Sequence, residues 1–299
     1  MRFRMRVGVV LVLAAAVLCF GCAPKQPAPA APEKAAPDQP IKIGFLQAIT
    51  GERAATEEYA LQGAALAIEE INAQGGINGR PLKLIIEDTA GKAAVAITGL
   101  QKMVAEHPDM PVVFGSTLSA ISMPMLPYVR EARVAYFSGA SSPKIHKSPE
   151  WTPWYFRTRA HDEVMAKIIT AYFVEELGRK KIAILYDTDE YGSAGAEVIR
   201  GFLKEKYGIE PLAFQGWSRG DKDFSAQLRA AVGAGADTIL SWAHSLEAGL
   251  MIKQLHELGL GKKITAIGGG PGYPHPIVMD LAKQYADGVM GVTDRVRTN

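Results

Sequence analysis

Small polar residues follow two successive apolar runs in the first half of the chain. Ser119 comes after the predicted strand at 111–114 and directly before a predicted helix, and Gly139-Ala140-Ser141 follows the predicted strand at 134–137. A hydroxyl and the free N–H groups of a first helical turn hold a carboxylate, and the helix dipole favours that charge. A glycine lets the backbone approach a ligand closely. Ser119 is therefore a candidate for carboxylate binding, and Gly139, Ala140 and Ser141 are candidates for contact with a ligand.

The serines also have structural interpretations. Either Ser119 or Ser122 would serve as the N-cap of the helix, and Pro124 leaves open which of them does so. Ser141 would then lie in a solvated loop before Pro143.

Two ring-bearing residues occupy comparable positions in the second half. Tyr191 begins a predicted helix after the strand at 182–186, and His244 follows the strand at 238–242. A tyrosine at a cleft supplies contact area and a hydroxyl. The alternatives are a tyrosine that packs at a helix start and a structural histidine.

The sequence offers little that points to catalysis. The glycines at 268–272 lack the spacing of a dinucleotide fingerprint, and Gly192-Ser193-Ala194-Gly195 is one residue short of a nucleophile elbow. The six histidines show no metal-ligand spacing, and the only cysteines are Cys19 and Cys22. We therefore expect no catalytic residue, no cofactor and no metal, with a lipoprotein hydrolase as the alternative from the enzyme class.

From Ile41 onward, apolar runs alternate with helical periods, a pattern typical of parallel sheets with helices on both faces. The first half predicts strands at 41–46, 82–87, 111–114 and 134–137 and helices at 57–72, 93–106 and 121–131. After a Trp- and Pro-rich break at 148–162, the second half predicts strands at 182–186, 211–216, 238–242, 264–267 and 288–292 and helices at 193–207, 224–232, 246–258 and 276–285. We predict an α/β fold with two lobes, 41–158 and 159–292, because a single core stops growing at about 250–300 residues.

The N-terminus has the features of a bacterial export signal. Three arginines precede an uncharged stretch, which ends in Gly21-Cys22 and is short for a membrane span. We predict a lipoprotein signal over 1–22, a lipid on Cys22, and a Pro/Ala-rich tether over 23–40. Plain cleavage or an uncleaved anchor is the alternative. Each option places the folded part outside the inner membrane, in the periplasm or on the cell surface.

The charge balance favours a small-molecule partner over nucleic acid. Of the 33 basic residues three lie in the predicted signal, so a processed chain has 30 against 31 acidic residues. A near-neutral chain without a basic patch does not indicate nucleic-acid binding.

Several strings resemble one family in order and spacing. They are Thr50-Gly51, the run from Ile71-Asn72-Ala73 to Asn78-Gly79-Arg80, Phe114-Gly115 with Ser119, Gly139–Pro143, Phe156-Arg157-Thr158 with Asp162, Tyr191-Gly192, and Asp223–Leu228. Together they resemble the leucine/isoleucine/valine-binding type of periplasmic substrate-binding protein, over roughly 41–292.

The resemblance implies two Rossmann-like lobes that close on a ligand, which is then delivered to an ABC permease and ATPase. It implies that Ser119, Gly139 and Ser141 bind the ligand's carboxylate and amine and that Tyr191 contacts the ligand from the opposite lobe. Residues 157–162 would form the first crossing between lobes and 293–299 the start of the second, so we expect the sequence to be a C-terminally truncated fragment. An exported sensor or envelope-complex subunit with the same fold is the alternative.

One departure from the family bears on the ligand. Amino-acid binders of this family carry an acidic residue after the strand predicted at 264–267, where this chain has Gly268-Gly269-Gly270. Because an unpaired buried ammonium is costly, either Asp189 or Glu190 substitutes for that acid or the ligand has no ammonium.

Overall fold

A computed structural model describes residues 39–51, 53–147 and 153–293 of the chain. The predicted signal with Cys22, nearly all of the tether and all but the first residue of 293–299 lie outside the described residues. Within the described part, no helix has the length and apolar character needed to span a membrane.

The first lobe, as we use the term, is a parallel sheet with its helices. Its elements are β1 (Ile41–Gln47), α1 (Ala54–Ala73), β2 (Leu82–Asp88), α2 (Ala93–Glu106), β3 (Val112–Phe114), α3 (Ser119–Ala132), β4 (Ala135–Ser138) and β5 (Tyr155–Arg157), with a 3-10 turn at Pro143–Lys147. Helix α1 ends before Gly76, whose φ of +73° suits glycine. A Cβ at Gly76 would collide with the Arg80 carbonyl, so this turn requires a glycine.

The second lobe repeats this plan. Its elements are α4 (Asp162–Ala171), β6 (Ile182–Asp187), α5 (Glu190–Tyr207), β7 (Ala213–Trp217), α6 (Ser225–Gly233), β8 (Thr238–Trp242), α7 (Ser245–Glu257), β9 (Ala266–Gly269), α8 (Pro276–Ala282) and β10 (Met290–Gly291), with a π turn at Tyr172–Glu176 and a 3-10 turn at Lys283–Ala286.

The two sheets have the same strand order, and this order determines where a ligand site lies. The first runs β2-β1-β3-β4-β5 and the second β7-β6-β8-β9-β10, with parallel pairing throughout. The predicted α/β fold of two parallel sheets is confirmed. In sheets of this order the switch point lies between the first and third strands, and ligands bind beyond the carboxyl ends there. Those ends are β1 and β3 in one lobe and β6 and β8 in the other.

The second sheet has helices on both faces, as predicted. Helices α1, α2 and α3 flank the first sheet, but among the described residues one of its faces is covered only in part. Residues of β6 alternate between two clusters: Ala183 and Leu185 pack on one face, Ile182 and Ile184 on the other. The first sheet has one large buried cluster, against α2 and α3. On its other face Phe114, Phe137 and Phe156 stack in a row across neighbouring strands. The described residues cover this row incompletely, so Phe114 and Phe156 are 37% and 43% exposed.

The predicted break at 148–162 was wrong in part. It contains β5, which pairs with β4, and α4 begins at its last residue. Helix α4 was not predicted. It packs on α5 and places Met165, Ala166 and Ile169 in the core of the second lobe.

Candidate functional site

A cavity of about 180 Å³ lies at the carboxyl ends of both sheets. It is smaller than the roughly 300–1,000 Å³ of sites for drug-sized ligands, so it suits a small metabolite. It is lined by Arg53, Glu57, Thr117, Leu118, Ser119, Ser141, Arg159, Tyr191, His244, Ser245, Pro271, Gly272 and His275. Both switch points therefore open onto the same cavity.

Ser119 and Ser141 form part of the first-lobe wall. Ser119 is the first residue of α3, and its Oγ accepts a hydrogen bond from the backbone N–H of Ser142 at 3.2 Å. The start of α3 at the cavity brings the positive end of the helix dipole to the ligand space. The two hydroxyls and this helix end make the wall suitable for an anionic group.

Neither serine caps α3, and the interpretation of Ser119 or Ser122 as N-cap is wrong. The N-cap position belongs to Leu118, which makes no side-chain cap bond. Ser122 lies one turn inside the helix, and its hydroxyl donates to the Ser116 carbonyl at 2.9 Å. It is also within 3.0 Å of the Ser138 hydroxyl, so a buried network that joins β4 to α3 occupies it.

Gly139 and Ala140 are not among the residues that line the cavity. A Cβ on Gly139 would meet the side chains of Thr117 and Arg159, which do line it. Ala140 is fully buried, and its carbonyl accepts a hydrogen bond from the Tyr155 hydroxyl at 2.9 Å. These two residues lie behind the wall rather than on it.

Tyr191 and His244 form part of the second-lobe wall. Their ring centroids are 4.7 Å apart, and Tyr191 also lies over the fully buried Trp242 at 6.1 Å. Tyr191 is the second residue of α5, and His244 is at the N-cap position of α7. Burial raises the pKa of Tyr191 well above its usual value, so its hydroxyl stays protonated.

Two carboxylates that do not line the cavity fix the residues of this wall by hydrogen bonds. Asp187 accepts from the Trp217 indole N–H at 2.7 Å and from the His244 backbone N–H at 2.8 Å. Its burial raises its pKa to about 6. Asp189 lies 2.8 Å from His244 Nε2 and caps α5 by accepting from the N–H of Gly192. Burial opposes its ionisation, but these hydrogen bonds outweigh it and lower the pKa of Asp189 to about 2.

Asp189 and Glu190 do not line the cavity, so the structure gives neither of them the role of the missing acid. Asp189 is engaged by His244 and the start of α5. Glu190 accepts from the Ser142 hydroxyl at 2.9 Å and pairs with Lys144 at 3.1 Å. Its carboxylate therefore ties the second lobe to the first outside the cavity.

Glu57 is a carboxylate that the sequence reasoning did not select. Its side chain lies in the first-lobe wall, and its two oxygens accept from the Ala48 N–H at 3.1 Å and the Thr117 hydroxyl at 2.9 Å. Burial raises its pKa. It is largely occupied in holding its own lobe together.

Two arginines also line the cavity. Arg53 precedes α1 and forms an ion pair with Glu247 of α7 at 3.4 Å, in which both side chains are almost fully buried. This pair connects the lobes. Arg159 lies in the segment between β5 and α4, which joins them covalently.

Asp162 follows that segment directly and is fully buried. Its N–H donates to the Ser141 carbonyl at 2.9 Å, so it fixes the backbone of a predicted site residue. Burial raises the pKa of Asp162 to about 7, opposed by the Ser141 hydroxyl and by the charge of Arg159.

Sequence reasoning missed six polar residues of the wall: Arg53, Glu57, Thr117, Arg159, Ser245 and His275. The sequence could have pointed to four of them, because each follows a strand that ends at a switch point. Arg53 and Glu57 follow β1, Thr117 follows β3 and Ser245 follows β8, and each of these strands ends at a switch point.

The model of the periplasmic binding protein family matches residues 40–297. The chain belongs to this family. Membership implies an extracytoplasmic location. An amino acid binding protein from Pseudomonas aeruginosa is 29% identical over 251 residues, which are 80% of this chain and 66% of the relative. A leucine-, isoleucine-, valine-, threonine- and alanine-binding protein of the same species is 27% identical over 256 residues, 85% of this chain and 66% of the relative.

Solved structures of the family agree with the fold. The branched-chain amino acid transporter substrate-binding protein LivJ from Streptococcus pneumoniae, solved with isoleucine, has a TM-score of 0.71 at 27% identity over 84% of this chain and 70% of that one. The leucine-binding protein LivK from Thermotoga maritima, at 21% identity, shares the fold with a TM-score of 0.72 over 82% of this chain and 67% of that one. The chain spans just under two thirds of the length of the two curated relatives.

Proposed function

We propose that this periplasmic binding protein is a lipoprotein that captures a small carboxylate-bearing ligand between its lobes and delivers it to an ABC importer. The proposed ligand class includes branched-chain amino acids and similar small carboxylates. The first lobe would bind the carboxylate through Ser119 and Ser141, and Tyr191 and His244 would close over the ligand from the second lobe.

One observation carries this proposal. Ser119 and Ser141 come from the first lobe and Tyr191 and His244 from the second, yet all four line one small cavity. Relatives named as amino acid-binding proteins support the ligand class.

The carboxylate site is tested by removing its hydroxyls. A hydrogen bond to a charged group contributes about 1.5–3 kcal/mol, so Ser119→Ala and Ser141→Ala should each weaken binding about ten- to a hundred-fold. Isothermal titration calorimetry measures this, after a thermal-shift screen of amino acids and small carboxylates has found a ligand. Ser225→Ala, at the start of α6 and away from the cavity, is the matched control. Unchanged affinity in both site variants would refute the proposed site.

The lipid anchor is tested separately. Cells that express the precursor should incorporate labelled palmitate into it, and Cys22→Ala should abolish the label. Cys19→Ala is the matched control and should retain the label. Label that persists in Cys22→Ala would contradict acylation at that residue.

Delivery to an importer is distinguished from a sensor role in cells. A strain that lacks the protein should lose high-affinity uptake of the identified ligand. Normal uptake together with a lost transcriptional response to the ligand would favour the sensor.

A further inference from the structure

We propose that the buried ion pair between Arg53 and Glu247 is a closure clasp, which forms when the lobes close on a ligand and breaks when they open. Glu247 does not line the cavity, so it acts through Arg53 and is a positioning residue rather than a ligand contact. This inference rests on the proposed function for its ligand and goes beyond it by assigning a residue that determines how long the ligand stays bound.

The lobes contact each other both beside the linker, which is the segment between β5 and α4, and far from it. Beside the linker, Glu190 of the second lobe accepts from the Ser142 hydroxyl at 2.9 Å and pairs with Lys144 at 3.1 Å. Ser142 follows β4, which pairs with β5. Far from the linker, Arg53 pairs with Glu247 at 3.4 Å. Arg53 follows β1, which is three strand positions from β5, or about 14 Å at the usual strand spacing.

Distance from the linker decides which of these contacts opening breaks. Because the linker is covalent, hinge opening is a rotation about it, and atoms far from it move further than atoms beside it. On the distant side the rings of Tyr59 and His275, one from each lobe, also lie close, with their centroids 6.1 Å apart. An opening rotation therefore separates Arg53 from Glu247 more than it separates the partners beside the linker.

Both lobes contribute to the surroundings of the pair. The side chains of Arg53 and Glu247 are 5% and 2% exposed. The Glu247 carboxylate also accepts from the Gly220 N–H at 3.3 Å, in the loop that carries Arg219. That loop meets the first lobe, since a Cβ on Gly91 would lie 3.8 Å from the guanidinium of Arg219 and 3.8 Å from Arg53. Opening the lobes would part these groups and let water reach both charges of the pair.

The energetics of a buried ion pair suit a clasp that depends on a ligand. Closing the lobes takes water from both charges, and their mutual attraction offsets that cost only while both are present. The intact pair therefore adds little net stability to the closed form, so closure still depends on the ligand. Loss of one partner leaves the other charge to be buried without it, and this penalises the closed form.

Glu247→Gln tests the clasp because it removes the charge and keeps an acceptor for the Gly220 N–H. With isoleucine as the probe, stopped-flow measurements should show at least about ten-fold faster dissociation. The association rate should be unchanged, since a ligand enters the open form. Glu257→Gln is the matched control and should leave both rates unchanged, because Glu257 ends the same helix and pairs with Lys253 on it. An unchanged dissociation rate in Glu247→Gln would overturn the clasp.

A double-mutant cycle separates the clasp from a direct contact between Arg53 and the ligand. If the two residues act as a pair, the double variant Arg53→Gln/Glu247→Gln should release isoleucine at the rate of Arg53→Gln alone, within about two-fold. Rate increases that multiply would show that the residues act independently, against the proposal. Glu190→Gln, which weakens the contact beside the linker, should accelerate release less than Glu247→Gln. The reverse order would refute the argument from distance.

The distance between the lobes gives a readout that a loss of stability alone does not produce. Cys19 and Cys22 are the only cysteines, so the full-length chain with both changed to serine accepts spin labels at chosen sites. Glu69→Cys on α1 and Asp280→Cys on α8 place the labels at exposed positions, one in each lobe. Double electron–electron resonance should show that isoleucine shortens this distance, and that adding Glu247→Gln keeps a larger fraction of molecules at the longer distance.

The outcomes distinguish a failure of this inference from a failure of the proposed function. Isoleucine that binds and gives the same distances with and without Glu247→Gln overturns the clasp and leaves the proposed function standing. A chain that neither binds isoleucine nor closes with it overturns the clasp and also counts against the proposed function.

Discussion

Asp88 and Asp187 each end a strand, one in each lobe, and each fixes a loop that carries a residue of the cavity wall. Asp88, at the end of β2, accepts hydrogen bonds from the N–H groups of Ile49 and Thr50, in the loop before Arg53. Asp187, at the end of β6, accepts from the His244 N–H and the Trp217 indole. The two residues perform the same task in different surroundings.

Their surroundings give them opposite electrostatic behaviour. At Asp88 burial is the largest single influence and raises the pKa, but several hydrogen bonds, first from the Thr50 hydroxyl, together outweigh it, and the pKa falls to about 2. At Asp187 burial dominates and raises the pKa to about 6. The comparison shows that two strand-end carboxylates with the same task differ in their preferred charge: Asp88 is stable as an anion, whereas Asp187 is costly to ionise.

The largest effect should come from truncating Asp187. Asp187→Ala leaves the buried N–H groups of Trp217 and His244 without their acceptor, and each stranded donor costs about 1–3 kcal/mol. We expect the free energy of unfolding to fall by about 3 kcal/mol in urea denaturation. Asp88→Ala is the matched control and should cost about 1 kcal/mol or less, since water reaches its donors. Equal losses in both variants would remove the distinction between the lobes.

The next effect is a difference in pH dependence. The pKa of Asp187 is raised in the folded state, so its contribution to stability is greatest below its usual 3.8 and is lost as the pH rises through 6. Across that window wild type should lose about 3 kcal/mol relative to Asp187→Asn. The pKa of Asp88 is lowered, so its contribution is present above 3.8 and is lost as the pH falls towards 2. The free energy of unfolding of wild type minus that of Asp187→Asn should fall as the pH rises from 3.8 to 6. The corresponding difference for Asp88→Asn should rise as the pH increases from 2 to 3.8. Urea denaturation from about pH 2 to 7 measures both slopes. Slopes of the same sign would contradict the assignment.

The smallest effect sharpens the comparison at Asp88 alone. Thr50→Val removes the hydroxyl that donates to Asp88, so the pKa of Asp88 should rise towards its usual value. Because the bond is exposed, we expect the free energy of unfolding to change by less than about 1 kcal/mol. A carbon-detected NMR titration of the Asp88 carboxyl measures the pKa, and Thr98→Val, on the exposed side of α2, is the control. An unchanged pKa would assign the shift to the backbone donors instead.

The sequence predicts the framework well because strand and helix periods are local properties. The alternating runs predict both parallel sheets, and Ser119, Ser141, Tyr191 and His244, which follow β3, β4, β6 and β8 along the chain, line one cavity. Helix α4 was missed because its run Ile168-Ile169-Thr170 has β-branched residues, which favour strands. Packing against α5 outweighs that preference.

The rest of the wall depends on non-local contacts. Arg53 reaches the cavity beside its partner Glu247, which is distant in sequence, and Glu57 is held there by Ala48 and Thr117. The surroundings of the glycines at the end of β9 also could not be read from the sequence. Only the packing of Tyr273, Tyr191 and Trp242 shows that Gly269 and Gly270 have no room for a side chain.

The position of Trp242 gives the protein a built-in optical probe. Its indole is buried and lies against Tyr191, and Trp242 is not among the residues that line the cavity. Trp217, in the same lobe, is held by Asp187 away from the cavity wall. We expect a ligand that displaces or orders Tyr191 to change the emission of Trp242 and to leave that of Trp217 unchanged. The unlabelled protein should then report ligand binding through its own fluorescence.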